Sequence, residues 1–215
     1  MFERNALTEL RQWATRPGHK PMVLRGARQV GKTTLVDQFA AEYDVCLKLN
    51  LEKNTDRQLF ESGMSMDELI TTIYLLNNKE RKAAPTLLFI DEIQNSPQAV
   101  AMLRYFYEEV SGIDIIAAGS LLENLIDKHI IFPVGRVEYM AVHPCSFNEF
   151  LGAVGEQGLK TAQQRAAVPA PLHDKVMRLF NTYTLIGGMP EVVNSYAEHR
   201  DIISLKHIYE TLLTG

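Results

Sequence analysis

A short stretch near the N-terminus restricts the fold of this chain more than any other feature. Residues 26–33 read Gly-Ala-Arg-Gln-Val-Gly-Lys-Thr and match the pattern Gly-x-x-x-x-Gly-Lys-Ser/Thr at every fixed position. The mostly apolar run 21–25 comes before the stretch, and Leu35, Val36 and Phe39 follow it at helical spacing. A strand, a glycine loop and a helix in this order are typical of a loop that wraps around phosphate groups. We call residues 26–33 the phosphate loop.

The residue types of the phosphate loop explain how it would bind a nucleoside triphosphate. Glycines allow the backbone to turn its N–H groups toward anionic oxygens, and the following helix adds the positive end of its dipole. Lys32 is expected to reach the β- and γ-phosphates, and the Thr33 hydroxyl to bind Mg²⁺. An ordinary glycine turn before a surface Lys-Thr pair is the alternative, which the complete motif in its expected context disfavours. The predicted nucleotide contacts are Gly26, Ala27, Arg28, Gln29, Val30, Gly31, Lys32, Thr33 and Thr34.

Composition and charge are those of an ordinary globular protein. Hydrophobic residues make up 46% and charged residues 22% of the chain. The net charge of −4 and the isoelectric point near 5.9 provide no overall basic field, so binding to nucleic acid stays open but is not indicated. We find no apolar run of about 18 residues and no signal-peptide pattern, so no membrane segment is expected. Cys46 and Cys145 lie far apart in the sequence, which favours a reducing cytoplasm.

Apolar runs and helical patterns alternate along residues 1–151. Strands are predicted at residues 21–25, 45–51, 86–90, 113–118 and 137–141. Helices are predicted at residues 5–15 and 34–41, after the capping box Ser65-x-x-Glu68, after Ser96-Pro97, and at residues 121–127. Because strands that alternate with helices pair in parallel, this pattern predicts an α/β fold built on a parallel sheet.

An acidic pair ends the most apolar of the predicted strands. Asp91-Glu92 follows residues 86–90, at the carboxyl end of the strand, where ligands bind in open α/β folds. Asp91 is expected to hold Mg²⁺, largely through water, since Mg²⁺ gives up its hydration reluctantly. Glu92 would point the other way along the pleat and orient an attacking water. Strand ends often carry solvated acids, but next to a phosphate loop the pair predicts hydrolysis of the triphosphate.

Further polar residues are candidates for the same site. Ser120 ends the next strand, and its hydroxyl would touch the γ-phosphate or the water, although it fits the N-cap of the following helix equally well. Arg136 precedes the last strand and is a candidate arginine finger or phosphate sensor. The Arg28 side chain is expected to face solvent or an adjoining element, and residues 1–4 are candidates for packing on the base. The predicted catalytic residues are Lys32, Glu92, Ser120 and Arg136, and the predicted metal ligands are Thr33 and Asp91.

The composition changes after Phe150. Residues 152–171 are poor in large apolar side chains and are predicted to form a linker or a mobile insertion. Helices are predicted at residues 172–184, from Pro190, and at residues 201–213, with a break at Gly187-Gly188. The predicted division is therefore a core of residues 1–151, the linker of residues 152–171 and a helical lid of residues 172–215. The chain is expected to be a fragment with a truncated lid, because its last helix runs to the end without a tail.

Two motifs are more specific than the phosphate loop and the acidic pair, which many ATPases share. They are Pro-x-Ser-Phe-x-Glu-Phe at residues 144–150 and Gly-Gly-x-Pro-Glu at residues 187–191. With them, the chain resembles prokaryotic AAA-type ATPases of the archaeal-ATPase and STAND-related branch. The matching segments span nearly the whole chain and are residues 25–35, 88–94, 118–123, 135–136, 143–151 and 187–192.

The resemblance implies a P-loop NTPase three-layer sandwich of the AAA+ type. Its five-stranded parallel sheet would hold an extra strand between the phosphate-loop strand and the Asp91 strand, and residues 172–213 would begin a winged-helix-like lid. It also implies ATP as the nucleotide, and phosphate sensing by Arg136 either within the subunit or across an interface. Members of this branch often continue into a C-terminal domain of unknown function that is related to nucleases.

The leading hypothesis is an ATPase whose Mg²⁺-dependent hydrolysis of ATP drives or times a conformational switch. The alternative is a nucleotide-gated module that binds DNA or protein and hydrolyses little ATP. The Asp91-Glu92 pair favours the ATPase, because a pure binder has no need of a water-orienting Glu92. A small-molecule kinase is disfavoured, since residues 152–171 carry one arginine rather than an arginine-rich lid. Completion of the site by self-association or by a protein partner is left open.

Overall fold

The computed structural model of the protein describes residues 2–119 and 133–214. Ser120 and the helix predicted at residues 121–127 lie outside the described residues. Contacts divide the chain into two compact units. The sheet unit consists of Glu9–Arg28 and Lys32–Val142. The helical unit consists of Met1–Thr8, Gln29–Gly31 and His143–Gly215.

Within the described residues, five parallel strands form the sheet predicted from the sequence. They are β1 (Met22–Arg25), β2 (Val45–Asn50), β3 (Thr86–Asp91), β4 (Ile113–Ala118) and β5 (Glu138–Ala141). Their order in the sheet is β2-β3-β4-β1-β5, and every neighbouring pair is parallel. β4 lies between β1 and β3, so the extra strand implied at this place is confirmed. β3 is buried along almost its whole length, as expected for an apolar run that is covered on both faces.

Helices cover the sheet, and the two with capping signals in the sequence begin where these signals predict. The covering helices are α1 (Asn5–Thr15), α2 (Lys32–Ala40), α3 (Asn54–Glu61), α4 (Met66–Leu76) and α5 (Pro97–Glu109). Ser65 and Glu68 form the capping box of α4, and the Ser96 side chain caps α5 ahead of its first-turn proline. The sequence pattern predicts no helix at α3, since only Leu59 and Phe60 in this segment are large and apolar.

Strand β5 is present as predicted, but its burial does not follow the polar and apolar alternation of residues 137–141. Met140 and Val142 are buried, whereas 45% of the Tyr139 surface is exposed. The Arg25 guanidinium lies 3.7 Å from the centre of the Tyr139 ring and covers one of its faces. A tyrosine at the edge of the sheet is therefore shielded by an arginine on the neighbouring strand rather than by the core.

Helices dominate the helical unit. After β5 the chain forms α6 (Phe147–Ala153), α7 (Gln157–Gln164), α8 (His173–Ile186), α9 (Pro190–His199) and α10 (Lys206–Thr214). Aromatic and aliphatic side chains build its core, among them Phe150, Ile186 and Val192. α7 occupies the segment predicted as a linker, and its Leu159 is 5% exposed. The break at Gly187 and the helix start at Pro190 are confirmed, while the division into core, linker and lid stays a prediction.

Gly188 is expected to tolerate no side chain. The Cys145 N–H donates to the Gly188 carbonyl over 2.6 Å. A Cβ at Gly188 would clash with the Cys145 carbonyl oxygen and lie 3.1 Å from Pro144 Cβ. We expect Gly188→Ala to lower the free energy of unfolding by about 1–3 kcal/mol, measured by urea denaturation, because the backbone must move apart.

Gly158→Ala is the matched control for this substitution. Gly158 lies in α7, and a Cβ there meets no atom within 4 Å. Alanine in place of glycine in a helix favours folding by roughly 0.5–1 kcal/mol, so this variant is expected to be as stable as the wild type or more stable. Equal urea midpoints for Gly188→Ala and the wild type would contradict the close contact between Gly188 and the Cys145 backbone.

Candidate functional site

The phosphate loop connects the end of β1 to the start of α2. Gln29 and Gly31 adopt positive φ angles of 61° and 86°, which turn the chain within the loop. α2 begins at Lys32, so the N–H groups of its first turn have no partner within the helix and face back toward the loop. Left-handed residues followed by a helix N-terminus form a concave array of N–H donors, which is the arrangement that binds anions.

The backbone of the phosphate loop holds the Lys32 side chain in place. The side chain is buried, and Nζ donates to the carbonyl oxygens of Gly26 and Ala27, 2.9 Å from each. Burial lowers the pKa of Lys32, while the charges of Glu92 and Asp91 oppose this shift. The two carbonyls hold the ammonium group without neutralising it, so its positive charge stays available to a phosphate.

Thr33 and Asp91 come from different elements and meet at the same edge of the sheet. The Thr33 hydroxyl at the start of α2 donates to Asp91 Oδ2 at the end of β3 over 2.9 Å. Burial raises the pKa of Asp91, against the hydrogen bonds from Thr33 and from the Glu92 N–H. One hydroxyl and one carboxylate, side by side and close to an ammonium group, fit the oxygen ligands that Mg²⁺ takes beside phosphates. The residues present therefore fit this cation.

Glu92 lies outside the strand that precedes it. β3 ends at Asp91, and Glu92 adopts the left-handed conformation, with φ 53° and ψ 45°. The pleat on which the prediction for Glu92 relied therefore ends at Asp91, and a turn rather than a pleat directs the Glu92 side chain. A non-glycine residue in this conformation is strained, and such residues are concentrated at functional sites.

Gln94 is the hydrogen-bond partner of Glu92. Its Nε2 donates to the Glu92 carboxylate, and its Oε1 is buried with no hydrogen-bond partner among the described residues. A buried amide oxygen without a partner costs free energy of folding. Its contact keeps the Glu92 carboxylate in one orientation.

Arg136 lies at the amino ends of the parallel strands, whereas Lys32 and Asp91 lie at their carboxyl ends. β5 pairs in register with β1, from Glu138 beside Met22 to Ala141 beside Arg25. Arg136 comes before the first residue of β5, whereas the phosphate loop comes after the last residue of β1. Strands of this length separate their amino and carboxyl ends by roughly 10–13 Å. The Arg136 Nε donates to Glu108 Oε1 over 2.7 Å and, with Arg104, holds the pKa of Glu108 below its usual range. The structure thus does not bring Arg136 to the phosphate loop of its own chain.

The structure describes one of the two remaining predicted residues, Arg28, but not the other, Ser120. Arg28 is exposed, and the expectation that its side chain faces solvent or an adjoining element rather than the nucleotide stays a prediction. Sequence analysis missed Arg4, whose buried guanidinium donates to the carbonyl of Val30 in the phosphate loop over 3.3 Å. The only signal for it was an arginine in the N-terminal segment, which we expected to pack on the base.

Comparison with known proteins identifies the family. A family model for an AAA domain matches residues 18–151. The chain belongs to the AAA domain family. In structure, this AAA domain is similar to the Walker-type ATPase PABY2304 of Pyrococcus abyssi, with a TM-score of 0.60 and 17% identity over 100% of this chain and 74% of that chain. It also matches PCH-2 of C. elegans with a TM-score of 0.38 and 16% identity, over 78% of this chain and 47% of that chain, a score too low to show a shared fold.

These comparisons confirm the resemblance to AAA-type ATPases and the fold. The AAA domain has the α/β fold of P-loop NTPases and belongs to a family of nucleotide-binding ATPases. None of the curated proteins matches it. Among the described residues, no helix is both long and apolar enough to cross a membrane.

Proposed function

We propose that this AAA domain hydrolyses ATP with Mg²⁺ and that hydrolysis drives or times a conformational change. The observation that carries the proposal is the contact between Thr33 and Asp91 beside Lys32, because it joins a phosphate loop to a metal-binding carboxylate. Adenine as the base is adopted from the family resemblance. A cytoplasmic, prokaryotic setting and a winged-helix-like lid belong to the same proposal.

Each residue of the site has a separate task in this mechanism. The loop N–H groups and Lys32 bind the phosphates, and the ammonium group stabilises the charge that develops on the leaving group. The Thr33 hydroxyl and the Asp91 carboxylate would hold Mg²⁺, which would neutralise part of the phosphate charge there. Glu92 accepts the proton of the attacking water and orients it in line with the bond that breaks.

A nucleotide-gated binding module is the second candidate, and one observation favours it. Gln94 donates to the carboxylate of Glu92, so the group that would accept a proton from water is already hydrogen-bonded. A carboxylate accepts several hydrogen bonds, so this contact alone does not prevent hydrolysis, but a chain in which it keeps Glu92 away from the water would bind ATP and respond to it with little turnover. The output in that case is a change in affinity for DNA or for a protein.

We further propose that Arg136 acts in the site of a neighbouring copy rather than in its own. Within one chain the sheet separates Arg136 from Asp91, and its side chain lies on exposed Glu108 instead. An exposed ion pair of this kind is weak and is easily exchanged for a phosphate. An arginine supplied in this way would complete the charge stabilisation of the site and would require self-association.

The substitution Asp91→Asn tests the hydrolase directly. ATP labelled at the γ-phosphate is expected to yield inorganic phosphate with Mg²⁺ and none with EDTA. Asp91→Asn should slow this release by on the order of a hundredfold, as expected for a residue that holds the metal largely through water. Asp44→Asn, an exposed aspartate beyond α2, is the matched control and should behave like the wild type. Label on a small molecule instead of free phosphate would indicate a kinase and overturn the proposal.

A further inference from the structure

The helical unit contains Gln29–Gly31, the central part of the phosphate loop. Two side chains of the same unit lie against these residues, those of Arg4 and Pro190, and a third, that of Glu149, holds Arg4. Two of the three belong to the family-specific motifs of the sequence, to which the proposed mechanism assigns no task. Pro190 contacts the loop directly and Glu149 acts on it through Arg4, which gives both motifs a structural role.

Arg4 binds three partners with one guanidinium group. Its Nη1 donates to the Val30 carbonyl over 3.3 Å, and its Nη2 to the His143 carbonyl over 2.6 Å. Its Nε donates to Glu149 Oε1 over 3.0 Å. Only 7% of Arg4 is exposed, so these contacts lie out of competition with water. Because the planar guanidinium is fixed by Glu149 and by the His143 carbonyl, it also holds the Val30 carbonyl in one direction.

Glu149 fixes Arg4 in its turn. Besides Arg4, its carboxylate accepts the Asn5 N–H at the start of α1 over 2.8 Å and the Ser146 N–H at the start of α6 over 2.7 Å. Burial opposes the charge of Glu149, but these N–H groups and Arg4 outweigh burial and hold its pKa below the usual range. The Pro-x-Ser-Phe-x-Glu-Phe motif thus supplies a capping box whose glutamate also anchors an arginine.

Pro190 closes the other side of the loop. A Cβ at Gly31 would lie 3.4 Å from Pro190 Cγ and 3.6 Å from Arg4 Nη1, so both residues cover Gly31 closely. Pro190 is held in place as the first residue of α9, directly after the glycine pair of the second motif. The Gly-Gly-x-Pro-Glu motif therefore brings a rigid ring to the position at which the loop needs a residue without a side chain.

We propose that Arg4, anchored by Glu149, is a positioning residue for nucleotide binding. This inference rests on the proposed function of the phosphate loop. The peptide bond between Val30 and Gly31 is planar, so its C=O and N–H point in opposite directions. By fixing the Val30 carbonyl, Arg4 also fixes the Gly31 N–H, which is one of the donors that the loop offers to phosphate. The loop is thus held ready before the nucleotide arrives, and less binding free energy is lost in ordering it.

Affinity for ADP tests this inference without requiring hydrolysis. Arg4→Met is expected to weaken ADP binding about tenfold in isothermal titration calorimetry, since a freed peptide bond must be ordered on binding. Arg200→Met is the matched control, because the Arg200 guanidinium also donates to a carbonyl in the helical unit, that of Val154. Its ADP affinity is expected to stay within twofold of the wild type.

A double variant separates positioning from stability. Arg4→Met alone leaves the Glu149 carboxylate buried and unpaired, which can unfold the unit. Arg4→Met/Glu149→Gln removes both buried charges and keeps an amide oxygen for the Asn5 and Ser146 N–H groups, so it is expected to fold and still to bind ADP about tenfold more weakly. Arg4→Lys restores the charge opposite Glu149 but not the fork, and is expected to regain stability without regaining affinity.

Several results would overturn the positioning role. One is wild-type ADP affinity in the folded double variant, and another is an equal loss of affinity in Arg200→Met. A wild-type protein that binds no ADP would instead refute the proposed function itself, so the two failures are distinguishable. Hydrogen exchange of residues 26–34 without nucleotide gives a further readout: it should be faster in Arg4→Met and unchanged in Arg200→Met.

Discussion

Lys32→Ala is expected to abolish nucleotide binding at micromolar ATP. Lys32 is the buried cation of the phosphate loop, and its Nζ lies 2.9 Å from two loop carbonyls. A hydrogen bond to a charged group contributes roughly 1.5–3 kcal/mol, so the loss of two such bonds to phosphates weakens binding on the order of a hundredfold or more. Titration with a fluorescent ATP analogue measures this directly.

Lys48→Ala is the control for Lys32→Ala. Lys48 lies in β2 of the same sheet unit, half exposed, and pairs with Asp37 on the surface. Its removal takes away the same positive charge without touching the phosphate loop, and ATP affinity is expected to stay within a factor of about two, since surface pairs contribute little. Affinity within threefold of the wild type in Lys32→Ala would show that the loop does not bind phosphate as proposed.

Glu92→Gln is expected to stop hydrolysis and leave ATP binding intact. The substitution keeps the size of the side chain and an acceptor for Gln94 but removes the group that accepts a proton from water. General-base catalysis contributes about 10²–10⁴-fold, so turnover is expected to fall within this range. Single-turnover release of labelled phosphate, with the protein in excess over ATP, measures the chemical step apart from product release.

The opposite outcome of this experiment is equally informative. Glu61→Gln makes the same change on an exposed glutamate at the end of α3 and is expected to leave turnover unchanged. If Glu92→Gln and the wild type released phosphate at the same slow rate, the nucleotide-gated module would be the better description. Retained ATP binding in Glu92→Gln is required under either function, because Glu92 is not among the residues that hold the phosphates.

The parts of the fold that local sequence patterns encode could be predicted. The phosphate loop, the buried strand that ends at Asp91 and the caps at Ser65 and Ser96 each depend on residues close together in the chain, and each is present in the structure. The place of one strand between β1 and β3 came from the family resemblance, since periodicity alone does not determine which strands become neighbours.

Features that depend on distant segments could not be predicted. Nothing near Arg4 in the sequence indicates that it meets Glu149 and the Val30 carbonyl, because these contacts form only when the chain is folded. The same holds for Glu92, whose direction is set by a left-handed turn that no local propensity favours. Likewise, the position of Arg136 at the amino ends of the strands follows from the pairing of β5 with β1.

The distance between Arg136 and Asp91 also restricts the symmetry of any assembly in which both are used. In a two-fold dimer, the interface would have to include both the amino ends and the carboxyl ends of the strands for each arginine to reach the site of the other subunit. In a head-to-tail contact, the Arg136 end of one subunit meets the phosphate-loop end of the next. One end of each subunit stays free, so further copies can add. Repetition of such a contact closes into a ring or extends as a helical filament. If Arg136 serves a neighbouring site, we therefore expect oligomers larger than a dimer when ATP is bound.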